Sequence, residues 1–281
     1  MIEPRVAIQT TSDGYPIHTR TWPATGHTRG RVLVLHGVQS HGGWYHGLGR
    51  SLAGAGYEAT FPDRRGSGAN PRDRGHAPSA ARLVVDVAEA LRTLRAAGPS
   101  PIALAGISWG GKLAVLAAGD HPELVDALAL ICPGLQPRIG VTRAERLRIT
   151  LAWFLNRRKT FAIPLSDPAL FTADPEGRAF IAADPLGLRE ATAGLLAAST
   201  FLDRRVRAIP PRVRQPALLM LAGQDRIVDN VRTLADFGRL ASRDRTILEY
   251  SEAHHTLEFE PDPSRYARDL IDWLDGRLAA V

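Results

Sequence analysis

The stretch LAGISWGGKL, residues 104–113, decides how the rest of this chain is interpreted. An apolar run ends at Ile107, Ser108 and Trp109 follow, and a helix-like run resumes after two glycines. Glycines around a serine allow a turn that is too tight for most side chains, and such a turn lifts the hydroxyl above the end of a strand. The same pattern also suits an ordinary turn, but its place between a strand and a helix favours a nucleophile. We therefore predict that Ser108 is a catalytic nucleophile.

Short β-like runs alternate with helix-like runs on both sides of this stretch, which favours an α/β fold with a mostly parallel sheet covered by helices. Residues 5–10 and 16–22 are expected to form an antiparallel pair. Six further strands are predicted in the runs RVLVLHG, YEATFPD, PIALAGI, DALALIC, PALLMLAG and RTILEY. Helices are expected directly after Ser108 and, from the spacing of apolar residues, at residues 44–55, 79–97 and 264–279.

A long segment, residues 134–210, separates two of the predicted strands. Its length of about 75 residues far exceeds a usual connection of about 4–6 residues, so we expect it to have structure of its own. Helical patterns at residues 142–156 and 187–203 predict a helical cap inserted into the core. The predicted organisation is therefore a core in two parts with the cap between them: residues 1–133, 134–210 and 211–281.

A nucleophilic serine needs a base, and the base needs a carboxylate that orients it. Asp225 follows the run PALLMLAG and His255 follows RTILEY, so both are expected at the strand ends where Ser108 also lies. The order Ser, Asp, His is that of serine hydrolases built on such a sheet. Asp229 is the alternative carboxylate, although its position before a helix-like run favours a capping role. His254 is the alternative base, because two adjacent side chains cannot both face Ser108.

The segment HGVQSHGGWY, residues 36–45, ends another predicted strand and then turns. The backbone N–H groups of Val38 and Trp109 are predicted to form the oxyanion hole that acyl transfer needs. No cluster of further ligands accompanies the histidines of this region, so we predict neither a metal site nor another cofactor. Instead, three histidines are expected to brace the loop by hydrogen bonding: His36, His41 and His46.

These motifs together resemble the α/β-hydrolase superfamily, and within it the monoacylglycerol lipase and lysophospholipase group, which lies near the serine aminopeptidases. HGVQSHGGWY fits the oxyanion loop of that group, and PDRRGSGANPRDRGHA, DPLGLREATAGLLAAST and AGQDRIVDN resemble its other motifs. Its base motif, Tyr-x-x-Ala-x-His, matches residues 250–255, which implies that His255 is the base and that His254 occupies a variable position. The resemblance implies an α/β-hydrolase fold with an inserted cap.

Two residues at the elbow depart from the pattern of that group. Ile107 and Trp109 stand where the group usually has histidine and methionine. We expect the bulky indole of Trp109 to narrow the acyl pocket beside the oxyanion hole. The substrate pocket is further predicted to include His41 from the oxyanion loop and Trp153 and Phe154 from the cap.

The first predicted cap helix is amphipathic. Leu147, Leu151 and Phe154 recur at helical spacing beside Trp153, with arginines at both ends of the run. One hypothesis is a lid that makes transient contact with a lipid surface or an anionic head group. The alternative, which we favour at this point, is that the apolar face packs over the active site while the arginines are solvated.

The net charge of the 281-residue chain, +6, is concentrated in one segment. Residues 134–159 contain a single acidic residue, Glu145, and seven cations: Arg138, Arg143, Arg146, Arg148, Arg157, Arg158 and Lys159. No nucleic-acid-binding motif accompanies this charge, so we expect no nucleic-acid partner.

The single cysteine and the N-terminal sequence bear on the compartment. Cys132 excludes an intrachain disulfide, fits a reducing compartment and is expected to be a small buried residue. The N-terminal segment MIEPRVAIQTTSDG has no signal-peptide pattern. We therefore predict a cytoplasmic protein.

The function that these observations predict is hydrolysis of carboxylic esters through an acyl-enzyme, with a small-molecule acyl ester as the substrate. Monoacylglycerol-like or other medium-to-long acyl esters are the expected substrates. The alternatives are an esterase for small substrates, an aminopeptidase of the same fold, and a non-catalytic ligand-binding member of the fold.

Overall fold

The computed structural model, which describes residues 2–278, contains ten strands. They are β1 (Arg5–Thr10), β2 (Pro16–Trp22), β3 (Gly30–Leu35), β4 (Tyr57–Pro62), β5 (Ile102–Ile107), β6 (Ala127–Ile131), β7 (Thr160–Ala162), β8 (Glu190–Thr192), β9 (Ala217–Ala222) and β10 (Arg245–Tyr250). Eight of them form one sheet in the order β1-β2-β4-β3-β5-β6-β9-β10, and β7 pairs separately with β8. All eight strands that the sequence predicts are present in the large sheet.

Most neighbours in the large sheet are parallel. Only the pairs β1–β2 and β2–β4 are antiparallel among the described strands of this sheet. Every residue of β3, β5, β6 and β9 is buried, as expected for parallel strands that are covered on both faces. The predicted mostly parallel α/β fold is confirmed.

Eight α-helices accompany the strands within residues 2–278. They are α1 (His46–Gly54), α2 (Ala80–Ala96), α3 (Gly110–Asp120), α4 (Arg143–Leu155), α5 (Pro175–Ala183), α6 (Ala193–Val206), α7 (Asn230–Gly238) and α8 (Pro263–Asp275). The predicted ranges 44–55, 79–97 and 264–279 correspond to α1, α2 and α8, although residue 279 lies outside the described residues.

Helix α2 shows how the local sequence sets a helix and its packing. The Ser79 hydroxyl accepts a hydrogen bond from the Arg82 N–H at 3.0 Å and so caps the first turn. Val87 and Leu94 lie on the buried face. The helix ends just before Gly98, whose φ of +145° is a conformation that glycine tolerates.

Helices cover both faces of the sheet. α2, α3 and α6 pack on one face in a core that includes Leu91 and Leu202. α1 and α8 pack on the other face in a core that includes Leu48 and Leu270. The sheet is therefore held rigidly at its centre, and its strand ends provide fixed positions for side chains.

The elements of residues 134–210 lie outside the large sheet. α4 agrees with the predicted helix 142–156, but the predicted helix 187–203 is wrong at its start: α6 begins at Ala193, and residues 190–192 form β8. The physical reason is that Thr192 caps α6, because its hydroxyl accepts a hydrogen bond from the N–H of Leu195. The division into core and cap at residues 133 and 210 stays a prediction.

No helix in the described part of the chain is both long and apolar enough to span a bilayer.

Candidate active site

Ser108 lies on a sharp turn between β5 and α3. Its φ is +51°, an unusual value for a residue other than glycine. The turn is held by hydrogen bonds: the Ser108 N–H donates to the Ile131 carbonyl at 3.0 Å, and the Ser108 carbonyl accepts from the Gly111 and Gly134 N–H groups at 2.9 and 2.7 Å. A strained backbone that its surroundings hold in this way is typical of a functional position.

The glycines on either side of Ser108 are required by close packing. A Cβ atom at Gly110 would lie 2.3 Å from the Leu35 carbonyl oxygen, and one at Gly106 would lie 2.6 Å from the Ala114 Cβ. Both distances are far below van der Waals contact, so larger residues at either position would displace the turn. The Gly-x-Ser-x-Gly pattern is thus explained by the backbone geometry.

Three side chains from separate strand ends meet at this turn. The Ser108 Oγ lies 2.8 Å from the His255 Nε2, and the His255 Nδ1 lies 2.7 Å from an Asp225 carboxylate oxygen. His255 follows β10, Asp225 follows β9, and both side chains are buried. β5, β6, β9 and β10 are parallel neighbours, which brings these ends to the same edge of the sheet.

The Asp225 carboxylate is held in place by hydrogen bonds that it accepts. One carboxylate oxygen accepts hydrogen bonds from the backbone N–H groups of Ile227 and Val228 at 2.8 and 2.9 Å, while the other faces His255. Burial by itself would raise the pKa of Asp225, but His255 and the two amides outweigh it and lower the pKa below its ordinary value. The carboxylate is therefore ionised at neutral pH.

The two alternatives from the sequence lie elsewhere. Asp229 caps α7, because its carboxylate accepts from the Arg232 N–H at 3.1 Å. His254 faces Glu260, which accepts the His254 backbone N–H at 3.0 Å and lies 3.5 Å from its Nδ1. Neither residue is hydrogen-bonded to Ser108 in the described structure.

The loop after β3 lies against Ser108. A Cβ atom at Gly37 would lie 3.6 Å from the Ser108 Oγ, so the loop passes directly beside the hydroxyl. Within residues 2–278, the backbone N–H groups of Val38 and Trp109 donate to no other backbone group. This leaves both groups available to a substrate oxygen.

Histidines brace this loop. The His36 Nε2 accepts from the Arg64 N–H at 2.8 Å, and its Nδ1 lies 2.7 Å from the Gly37 carbonyl oxygen. The His41 Nδ1 accepts from the Gly43 N–H at 3.0 Å. His46 instead packs edge-on against Trp22, with ring centroids 5.2 Å apart.

A small cavity that opens to solvent adjoins Ser108 and His255. The 134–210 segment contributes Leu165 and Phe171 to its wall, and the Phe171 ring centroid lies 6.1 Å from that of His255. The Phe171 carbonyl also accepts the Thr256 N–H at 2.9 Å, which connects this segment to the loop that carries His255. The remaining lining residues come from two loops and a strand end: Gly37, Val38, Gln39, Ser40, Trp44, Tyr45, Ile107 and Thr256.

The three pocket residues predicted from the sequence do not line this cavity. His41 is buried, and its Nε2 lies 3.2 Å from the Asp184 carboxylate. Phe154 is 72% exposed on α4, and Trp153 is half-buried against Phe154 and Phe201. The helical pattern identified an apolar face of α4 but gave no information about which face meets the core.

The indole of Trp109 also points away from the cavity. It is buried, and its Nε1 donates to the Ser199 hydroxyl of α6 at 2.9 Å. The expectation that it narrows the acyl pocket is therefore wrong, because this hydrogen bond turns the ring towards α6.

Sequence reasoning missed four large side chains that line the cavity: Trp44, Tyr45, Leu165 and Phe171. Trp44 lies inside the oxyanion-loop motif, and its Nε1 donates to Asp184 at 2.7 Å. Leu165 and Phe171 lie in the Pro- and Phe-containing stretch FAIPLSDPALFTADPEG, whose apolar residues were the available signal.

Within the part of the chain that the structure describes, no group of three or more His, Cys, Asp or Glu side chains is arranged to hold a metal ion. Cys132 is buried, as predicted, and follows directly after β6. Burial raises the pKa of its thiol well above the ordinary value, so it is not reactive at neutral pH.

Comparison with known proteins identifies the family of the chain. A sequence model of the family described as "Serine aminopeptidase, S33" (Hydrolase_4) matches residues 26–262. The chain belongs to this family. Monoglyceride lipase from Mus musculus is 26% identical over 282 residues, which cover 96% of this chain and 90% of the relative.

Solved structures show the same fold. Monoacylglycerol lipase from Paleococcus ferrophilus superposes with a TM-score of 0.84 at 22% identity, covering 93% of this chain and 99% of that one. Monoglyceride lipase from Saccharomyces cerevisiae, a soluble variant in complex with a substrate analog, gives 0.86 at 21% identity and covers 99% and 96%. The resemblance to the monoacylglycerol lipase group of α/β-hydrolases is confirmed.

Proposed function

We propose that this chain hydrolyses carboxylic esters, with Ser108 as the nucleophile, His255 as the general base and Asp225 as its orienting carboxylate. The observation that carries the proposal is the continuous series of contacts from the Ser108 Oγ through His255 to Asp225, at 2.8 and 2.7 Å. Such a series on a strand–helix elbow is the arrangement of acyl-transfer hydrolases. The lipase names of the relatives support ester hydrolysis as the reaction.

In the first half of the reaction the Ser108 Oγ attacks the ester carbonyl carbon while its proton passes to the His255 Nε2. The carbonyl oxygen becomes an oxyanion, which the N–H groups of Val38 and Trp109 stabilise by hydrogen bonds. The carbon–oxygen bond to the alcohol then breaks, and His255 returns the proton to the departing alcohol. The acyl group is left on Ser108.

In the second half, water attacks the acyl-enzyme and His255 takes its proton. Collapse of the second tetrahedral intermediate releases the carboxylic acid and restores Ser108. The ionised Asp225 stabilises the imidazolium that forms in each half and keeps the imidazole in one orientation. No atom outside the protein, substrate and water is needed to balance the reaction.

The substrate we propose is a medium-to-long acyl ester, such as a monoacylglycerol. The cavity walls support an apolar substrate, because Val38, Ile107, Leu165 and Phe171 contribute to them. Apolar contacts of this kind orient an acyl chain with little cost in desolvation. The mouse relative is named a monoglyceride lipase, and the yeast structure holds a substrate analog.

Residues 134–210 are proposed to act as a cap that also makes transient contact with a lipid surface. α4 has four exposed apolar side chains: Leu147, Leu151, Phe154 and Leu155. The six cations in and directly after the helix are exposed as well: Arg143, Arg146, Arg148, Arg157, Arg158 and Lys159. This combination suits an anionic lipid surface. The alternative that this face packs over the active site is wrong, because the side chains are exposed. A cytoplasmic location and the absence of a nucleic-acid partner stay predictions from the sequence.

The family description makes an aminopeptidase the second candidate. A peptide N-terminus carries a positive charge and would need an acidic group near Ser108. Three glutamates close to His255 in the sequence are the candidates: Glu252, Glu258 and Glu260. Glu252 is exposed, and Glu258 accepts hydrogen bonds from the N–H groups of Gly47 and Leu48 at 2.7 and 3.4 Å, which holds α1. Glu260 is occupied by His254. These contacts favour an ester over a free amine.

The test is hydrolysis of p-nitrophenyl esters with acyl chains of about 2 to 16 carbons, by the wild type and by Ser108→Ala. Replacing the nucleophile should lower kcat by about 10⁴-fold or more, the scale seen when a triad serine is removed. Ser264→Ala, which changes an exposed serine at the start of α8, is the control and should keep full activity. Near-normal turnover by Ser108→Ala would refute the mechanism.

The chain-length profile tests the substrate. A maximum at medium or long chains supports the lipid-like ester, whereas a maximum at the shortest chains supports a small-substrate esterase. Activity on aminoacyl p-nitroanilides but not on esters would favour the peptidase. Failure to label with a serine-directed phosphonate would favour a non-catalytic ligand-binding protein.

A further inference from the structure

Arg64 is a buried cation beside the reaction centre. It follows the end of β4 and is 8% exposed. Burial lowers the pKa of its guanidinium to about 10, so it still carries its proton at neutral pH. Among residues 2–278, two of its nitrogen atoms, Nε and Nη1, have no hydrogen-bond partner. Burying a charged group whose donors lack partners lowers the stability of the folded protein, which indicates that Arg64 has a function.

The third nitrogen of the guanidinium bonds directly to the oxyanion loop. The Arg64 Nη2 donates to the Val38 carbonyl oxygen at 2.9 Å. That carbonyl belongs to the peptide between Val38 and Gln39, which follows the proposed oxyanion donor. The hydrogen bond therefore fixes the loop on the C-terminal side of the Val38 N–H.

The backbone of Arg64 holds the preceding peptide through His36. The Arg64 N–H donates to the His36 Nε2 at 2.8 Å, so the proton of the neutral imidazole lies on Nδ1, which donates to the Gly37 carbonyl at 2.7 Å. Burial lowers the pKa of His36 to about 3 and keeps the ring neutral. The Gly37 carbonyl and the Val38 N–H belong to one peptide, and a bond to its oxygen strengthens its N–H as a donor.

The Arg64 guanidinium also contacts Trp109, whose backbone N–H is the second proposed oxyanion donor. Its Cζ lies 4.8 Å from the centre of the Trp109 ring, within the range of a cation–π contact. The indole is also held by the hydrogen bond that its Nε1 donates to Ser199. Arg64 therefore contacts both residues whose N–H groups face the developing negative charge.

We infer that Arg64 is a positioning residue for the oxyanion hole: its side chain fixes the Val38 loop and the Trp109 turn relative to each other. The inference rests on the proposed function. Displacement of either donor weakens stabilisation of the tetrahedral intermediate more than it weakens binding of the neutral ester. The positive charge of Arg64 acts in the same direction, since it favours the oxyanion over the neutral carbonyl.

The experiment compares Arg64→Met with a matched control, Arg31→Met. Arg31 is also 8% exposed, and its guanidinium also donates to backbone carbonyls, those of Gly98 and Ala97 at 3.2 and 3.1 Å. It lies at the start of β3, paired with Ile102 at the start of β5, and so at the opposite end of the sheet from Ser108. The control therefore reports the effect of removing a buried arginine by itself.

The readouts are kcat and KM for a soluble p-nitrophenyl ester, Tm, and the inhibition constant of an alkyl boronic acid. The boronic acid forms a tetrahedral anionic adduct with the serine and therefore probes the oxyanion hole. For Arg64→Met we expect kcat to fall about 10–100-fold and KM to change less than about 3-fold. The inhibition constant should rise by a similar factor to the fall in kcat/KM. Arg31→Met should keep kcat within about 2-fold, whatever its Tm.

Two results would overturn the inference: an unchanged kcat in Arg64→Met, or an equal loss of kcat in Arg31→Met. If Arg64→Met does not fold, Arg64→Lys takes its place. Lysine keeps the charge, but one ammonium cannot both bond to Val38 and cover the Trp109 ring, so kcat should still fall by about 3–10-fold. Full activity of Arg64→Lys would also overturn the inference. An inactive wild type would instead refute the proposed function, which separates the two failures.

Discussion

Helices α4 and α6 belong to the same segment, are of nearly equal length and pack against each other, yet their surroundings differ. α6 is joined to α3, the helix that starts beside Ser108: Asp203 lies 2.5 Å from the buried Lys112, and Ser199 accepts a hydrogen bond from Trp109. α4 buries Ile149 and Ala152 but leaves four other apolar side chains exposed: Leu147, Leu151, Phe154 and Leu155.

One segment therefore contains a helix that packs against the elements around Ser108 and a helix that faces outward. α6 supports the turn at Ser108, because its polar contacts reach α3 and Trp109, the proposed oxyanion donor. α4 rests on α6 and presents apolar and cationic side chains outward. A change in α6 should therefore affect folding and catalysis, whereas a change in α4 should affect contact with a surface.

The largest expected effect comes from a matched pair of leucines. Leu202 on α6 is fully buried at 0% exposure, whereas Leu151 on α4 is 58% exposed. Leu202→Ala should lower the free energy of unfolding by about 2–5 kcal/mol, because it removes packed atoms and leaves a cavity. Leu151→Ala should change it by less than about 0.5 kcal/mol.

Urea unfolding of the two variants and the wild type measures this difference. Each variant has lost the same atoms, so the other serves as its control. Equal losses of stability would contradict the comparison, since they would mean that α4 is as deeply packed as α6.

A smaller effect is expected at a lipid surface. The double variant Leu147→Glu/Phe154→Glu removes two exposed apolar side chains from α4 and adds two negative charges. Its affinity for vesicles that contain phosphatidylglycerol should fall by roughly 10-fold or more, since full burial of each such side chain contributes about 1.5–3 kcal/mol. Vesicle flotation measures the affinity.

The control is Val231→Glu, which replaces an exposed apolar residue of α7. It should retain vesicle binding, and both variants should hydrolyse a short soluble ester at the wild-type rate. Wild-type binding that does not depend on anionic lipid would exclude the proposed contact of α4.

The sequence was sufficient to predict the residues that lie at strand ends. Ser108, Asp225 and His255 are far apart in the chain, but each follows a strand of a parallel sheet, and the sheet alone brings such ends together. The strands themselves were predictable because they are continuous apolar runs between turn residues. This is why the eight-stranded sheet agrees with prediction.

The direction of individual side chains was not predictable from local pattern. Trp109 turns towards α6 because of Ser199, which lies 90 residues away in the chain. The spacing of Leu147, Leu151 and Phe154 defines a face of α4, but the residues that meet α6 are Ile149 and Ala152. Such choices depend on tertiary contacts, which helical periodicity does not contain.

The smallest expected effect is a pH dependence of stability that involves His76 beside the start of α6. Its Nδ1 lies 3.0 Å from the hydroxyl of Thr192, the cap of α6, while residues 143–155 of α4 contain no histidine. Burial lowers the pKa of His76, and the nearby Arg158 lowers it further. As pH falls, the unfolded chain therefore takes up this proton first, and the free energy of unfolding decreases below pH of about 6.5.

Urea unfolding at pH of about 7.5, 6.5 and 5.5 tests this for the wild type, His76→Gln and His27→Gln. A full difference of one proton corresponds to about 1.4 kcal/mol per pH unit, and the effect of His76 should be smaller because the ring is partly exposed to solvent. His76→Gln should lose less stability between pH 6.5 and 5.5 than the wild type. His27 is exposed, so His27→Gln should keep the wild-type slope. Equal slopes in the two variants would show that protonation at the start of α6 has no influence on its packing.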